Sequence, residues 1–107
     1  MAKPLKFQII ERAKALIQDE SHWCRGYLAV DAHGDSADPI SREAVRRCAL
    51  GALVAAAYQL TNSREQSFES AINALRPLCG SNTVVLVNDH RGHAAILALF
   101  DEAIAAM

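Results

Sequence analysis

From Cys48 to Tyr58 the chain runs eleven residues without a charged or strongly polar side chain. A helix that is apolar on every side belongs inside a fold, covered all round by other elements. The run is also well short of the ~20 residues that a helix needs to cross a bilayer. It reads as a central core helix, and the rest of the chain must supply what covers it.

That helix is expected to begin upstream, at Asp38-Pro39-Ile40-Ser41. Ser41 is its expected N-cap, Glu43 sits against the positive helix end, and the helix extends to about Leu60. Its first two turns then carry Arg42, Arg46 and Arg47 as a short basic stripe. Three amphipathic helices are available to cover it. In the first, Leu5, Ile9, Ala13, Leu16 and Ile17 share a face. A second opens on a capping box at Ser63-Arg64-Glu65-Gln66, places Phe68, Ala71, Ile72 and Leu75 at helical spacing, and ends at Pro77 and Gly80. The last runs from about His93 to Ala106 and buries Ile96, Leu97, Phe100 and Ile104.

Two segments have strand character. Residues 26–31 combine Tyr27 with Val30 ahead of a turn at Asp31-Ala32-His33-Gly34-Asp35, and Thr83-Val84-Val85-Leu86-Val87 is rich in β-branched residues. Asn88-Asp89-His90-Arg91-Gly92 is turn chemistry. The expected fold is mainly α with a minor β part: one compact four-helix domain over residues 1–107, with a short strand pair or irregular hairpin from residues 26–31 and 83–87. At 107 residues, about half of them apolar, one core suffices.

Charge and cysteine content narrow the function. Eleven Lys and Arg stand against twelve Asp and Glu, a formal charge of −1, so no overall field draws the chain to nucleic acid or an anionic membrane. The amino terminus reaches charged residues before any apolar run long enough for a signal-peptide core, and the three Cys form neither a CxxC pair nor an even disulfide set. A reduced, cytoplasmic setting is expected. So is a symmetric dimer through apolar surface on the last or the central helix, because a short chain this apolar leaves surplus to cover.

The candidate site is Ser21–Ala29, which brings together the only Trp, one Cys and several polar side chains. Beside Arg25 and His22, Cys24 is a candidate nucleophile, with His90 or His93 as base and Asn88 or Asp89 to orient it. Against this, a lone Cys is usually inert packing, and Asn88 and Asp89 serve equally as cap or Asx-turn residues. His90 and His93, with Cys79 or Asp89 to complete the set, could meet a metal on one helical turn, but Gly92 weakens that turn and a second ligand pair is missing, and Asp31, His33, Asp35 and Asp38 do not reproduce a calcium loop. No metal or cofactor is therefore expected. The candidate binding residues are Trp23, Cys24, Arg25, Asn88 and Asp89. The preferred function is a cytoplasmic interaction or small-ligand-binding domain; the alternative is a cysteine-dependent hydrolase or transferase using Cys24 with His90 or His93.

Three blocks carry a resemblance: Trp23-Cys24, Gly26, Ala29, Asp31 and Gly34; then Ala44, Cys48, Gly51, Ala52 and Leu53; then Asn88-Asp89. Together they resemble a family of small bacterial domains of unknown function. The resemblance implies an address for the unusual residues and no chemistry. The small residues Gly51, Ala52 and Ala55 allow another element to approach the central helix closely, with Cys24 packed beside Cys48.

Overall fold

The computed structural model describes residues 3–63 and 67–106. Among them five α-helices and one strand pair follow in the order α1 (Leu5–Ile17), β1 (Ala29–Val30), β2 (Arg46–Arg47), α2 (Ala49–Thr61), α3 (Ser67–Leu75), α4 (Val84–Arg91) and α5 (His93–Ala105). Short 3-10 turns lie at Glu20–His22 and Arg76–Cys79. The protein is mainly helical with a minor strand pair, as expected.

The apolar run forms the core helix. Ala49, Gly51, Ala52, Leu53, Ala55, Ala56 and Ala57 of α2 are all buried. Its covering partners are α1, through Ile9, Ile10, Ala13 and Ile17, α3, through Ala71 and Leu75, and α4, through Val84 and Val87; α5, expected to cover it too, packs instead on α1 and α4 and closes the same core with Ile96, Leu99, Phe100 and Ala103. The α1–α2 interface is the most extensive in the fold. The small side chains of α2 permit that close packing, and the bulk is supplied by its neighbours.

Three expectations are corrected. The core helix begins at Ala49 instead of Ser41: Ser41 donates its hydroxyl to the Asp38 carbonyl in a turn, and Arg46–Arg47 is drawn into the sheet. Cys48 is the N-cap, its Sγ accepting from the Gly51 amide at 3.3 Å. Second, residues 83–87 form no strand. Thr83 caps α4, its hydroxyl accepting from the Leu86 amide at 3.2 Å, and Val84, Val87 and Asn88 are buried at helical spacing while Val85 and Leu86 face out. Burial of one helical face and a good cap outweigh the β preference of three Val, which is a weak local bias. The helix count is consequently five. Third, β1 pairs with β2, antiparallel, with Ala29 opposite Arg47 and Val30 opposite Arg46. The expected capping box at Ser63–Gln66 has three of its four residues outside the described residues.

The strand pair sits directly on the core helix. The Leu28 carbonyl accepts from the Cys48 amide at 3.1 Å, one residue before α2 begins. A Cβ at position 51 would lie 1.9 Å from that same Leu28 oxygen. Only glycine admits the loop at this distance.

Candidate functional site

Asn88 organises the region that holds the candidate residues. Its side chain is 0 % exposed, in the middle of α4. Oδ1 accepts from the Trp23 indole Nε1 at 2.7 Å and from the Ala49 amide at 2.9 Å. Nδ2 donates to the Cys24 carbonyl at 3.1 Å and to Asp89 Oδ1 at 3.0 Å. A carboxamide offers two acceptor sites and two donor hydrogens, so all four are used. Ala49 is the first residue of α2, and its amide is one of the donors that a helix start leaves without an internal partner. Asn88 thus caps the core helix from another helix.

Asp89 extends this network: Oδ1 accepts from the Gly26 amide at 3.1 Å, and its carbonyl accepts from the Arg25 guanidinium at 3.1 Å. Arg25 lies with its guanidinium carbon 5.0 Å from the Trp23 ring centroid. On the indole, His93 sits with centroids 5.5 Å apart and planes tilted by 51°. His93 Nε2 lies 2.6 Å from the carbonyl of Ile17, the last residue of α1; a carbonyl only accepts, so Nε2 carries the proton. The structure therefore brings Trp23, Cys24, Arg25, Asn88, Asp89 and His93 together. It leaves His90 exposed on α4, with no hydrogen bond to Cys24 among the described residues.

The thiols are free, and Cys48 is buried. Cys24 is half-buried: its amide donates to the Arg47 carbonyl at 3.1 Å, and its Sγ meets the Tyr27 carbonyl at 3.5 Å. Burial, then the neighbouring Cys48 thiol, push the Cys24 pKa up to about 11, with Arg46 opposing and Asp89 adding to the rise. Burial raises that of Cys48 as well. A nucleophilic thiol needs the opposite bias.

The acidic turn is an internal device. Asp31 Oδ1 accepts from the His33 and Asp35 amides at 2.9 and 3.0 Å, and Asp38 Oδ1 from the Ile40 amide at 2.9 Å. The Asp35 bond leads the causes that hold the Asp31 carboxyl below its ordinary range. Among the described residues no three or more His, Cys, Asp or Glu side chains are grouped to hold a metal ion.

Outside the Trp23 cluster an open groove of about 950 Å³ runs past His22, Arg25, Tyr27, Asp31, His33 and Arg46. Around the corner a dent of about 170 Å³ lies between Tyr27, Leu28 and Val85, three exposed apolar side chains. The sequence marks out the residues that the fold gathers here, but not the partners in the two contacts that hold them. The Asn88 bond to the Ala49 amide leaves no sequence signal. The Gly51–Leu28 approach does leave one, a glycine inside an apolar helix, which signals a close neighbour without saying which.

A family model matches residues 2–106; its description is a family of unknown function (DUF6197). No curated protein and no solved structure matches the chain.

Proposed function

The chain belongs to that family of unknown function, and from this premise we propose that it is a non-catalytic binding domain that takes a polar small molecule or peptide segment along the groove outside Trp23. The observation that carries the reading is the division of labour at the site. Trp23, Asn88 and Asp89 are engaged in internal hydrogen bonds. His22, Tyr27, His33 and Arg46 stand exposed on the groove wall, with Arg25 beside them. A rigid wall carrying a few projecting polar groups is the usual construction of a binding site.

The rival reading, a hydrolase or transferase with Cys24 as nucleophile and His90 or His93 as base, requires a thiolate near neutral pH and an imidazole in hydrogen-bond reach. A Cys24 pKa near 11 and a His93 Nε2 turned to the Ile17 carbonyl weigh for the binding reading. Three free thiols and the resemblance support a bacterial cytoplasmic setting. The near-neutral charge supports a partner other than nucleic acid. Among the described residues no helix is long and apolar enough to cross a membrane.

Amide chemical-shift mapping against a library of polar metabolites and short peptides tests the proposal. Saturable shifts confined to residues 22–27, 31–34 and 46 are expected. A library that shifts none of these residues counts against it. So does hydrolysis of ester or amide substrates that is lost on Cys24→Ser in a folded protein.

Self-association is a second reading, favoured by the exposed apolar group Tyr27, Leu28, Val85 and Leu86. This surface replaces the last and the central helix as the proposed contact, because among the described residues no exposed large apolar side chain lies on α5 or α2.

A further inference from the structure

On a different face, between α2, α3 and the start of α4, lies a second cavity of about 440 Å³, within the ~300–1,000 Å³ usual for small-ligand sites. It shares no lining residue with the groove at Trp23. Leu50, Phe68, Ile72, Val84 and Val85 form its apolar wall. The single formal charge among its lining residues is Arg76. That guanidinium is exposed and has no carboxylate partner among the described residues; Glu69, which lines the adjoining surface dent with it, is not ion-paired to it. At the start of α4, also in the lining, the Thr83 hydroxyl accepts from the Leu86 amide and the Thr83 carbonyl from the Val87 amide, and the Val84 and Val85 amides have no acceptor among the described residues. The lining thus combines an apolar wall with one cation and two open N–H donors, and the described lining contains no carboxylate.

We propose that this cavity binds a small amphipathic carboxylate. Its apolar chain lies on Leu50, Phe68 and Ile72, and its head group meets Arg76 and the open amides at the start of α4. The match is one of charge and of polarity order: a guanidinium and free amides favour an anion and disfavour an amine, while the apolar wall requires a chain behind the head group. A wholly polar anion would leave that wall unfilled, and a neutral chain would leave the cation and donors facing water.

Decanoate, decanol and decylamine, added separately to the intact protein, form the test, read by amide and methyl chemical shifts. Decanoate is expected to give saturable shifts at the Val84 and Val85 amides and the Ile72 methyls, and to bind about tenfold or more tightly than decylamine, the size expected for a hydrogen bond to a charged group. Arg76→Gln, at an exposed position, retains the fold and should weaken decanoate about tenfold while leaving decanol unchanged. Ile72→Trp, which fills the cavity, should remove both. Equal binding of decanoate and decylamine, unweakened decanoate binding by the Arg76 variant, shifts confined to Tyr27 and Leu28, or no saturable binding would each overturn the assignment. A groove that binds polar ligands while this cavity takes no decanoate separates failure here from failure of the proposed function.

Discussion

The Trp23 indole donates to Asn88 Oδ1 at 2.7 Å across sixty-five residues of chain, and the same oxygen caps the first turn of α2 through the Ala49 amide. One buried atom therefore fastens the loop after α1, the core helix and α4 to each other. Trp23 is 8 % exposed, so its bond is sheltered from competing water. These two of the five candidate binding residues are chiefly a joint.

Asn88→Ala should cost about 3 kcal/mol or more, because it leaves the Trp23 indole, the Ala49 amide and the Cys24 carbonyl without partners, each a loss of ~1–3 kcal/mol. Trp23→Phe breaks only one of these bonds and should cost less. Urea unfolding of the two variants gives the order, and the reverse order would refute the hub. Asn88→Asp is the sharper probe. A carboxylate there cannot donate to the Cys24 carbonyl and faces Asp89 Oδ1, 3.0 Å from the present Nδ2. Repulsion raises its folded pKa, so the folded state keeps the proton that relieves the clash, and stability is lost as pH rises through that pKa. The gap to the parent protein should narrow on acidification.

Gly51→Ala should destabilise despite the ~1 kcal/mol by which Ala is the better helix former. The added methyl would overlap the Leu28 carbonyl at 1.9 Å, and that oxygen already holds the Cys48 amide. Separating the loop from α2 is expected to cost about 3 kcal/mol, or a fall in Tm of about 10 °C or more. A melting temperature equal to the parent's contradicts the close approach.

Alkylation of Cys24 in the folded protein should be slow at pH 7 and keep accelerating towards pH 11, instead of levelling just above the ordinary thiol pKa of 9.0. The unfolded thiol loses its proton near 9.0 while the folded one retains it to about 11, so the folded state holds more protons in that window. Stability accordingly falls as pH rises from 9 to 11. A rate that plateaus below pH 8 would place the thiol in the reactive class.

If Tyr27 and Leu28 form a contact between copies, light scattering should give a mass that rises above 11.6 kDa with concentration. Leu28→Asp should hold the mass at the monomer value with an unchanged far-ultraviolet spectrum. Tyr27 is 54 % exposed and Leu28 is exposed beside it, so the change reads the surface and not the core. A parent protein that stays at 11.6 kDa throughout the micromolar range removes the dimer.

Much of the helical framework was legible without coordinates. Ile9, Ala13 and Ile17 are buried on the face that their spacing marks out, as are Ala71 and Leu75 in α3 and Ile96 and Phe100 in α5. Leu5, assigned to the same face of α1, is exposed, since the helix extends beyond the core at that end. The residues of the candidate site were also legible, because an isolated Trp-Cys-Arg-Gly and an Asn-Asp pair interrupt otherwise regular patterns. What they do was not legible. Asn88 reads as a residue that closes a turn or caps the next helix, and in the fold it caps a helix that begins thirty-nine positions earlier in the chain.

Periodicity and apolar content by themselves determined that α2 is the core helix, that α1 and α3 pack on it and that one face of α5 is buried, since burying apolar area is the largest favourable term and repeats every three to four residues; that α5 lies on α1 and α4 instead of on α2 was decided by the fold. Tertiary structure alone decided that 83–87 lies in and at the start of a helix, that Arg46–Arg47 is strand, and that Cys48 caps a core helix beginning at Ala49. Each of these segments has a weak local preference, within about 1 kcal/mol of the alternative. Contacts from distant residues tip the balance: the Leu28 carbonyl on the Cys48 amide, the carboxamide of Asn88 on Ala49, and the core that receives Val84 and Val87. A local window of sequence contains none of those partners, so it cannot weigh them.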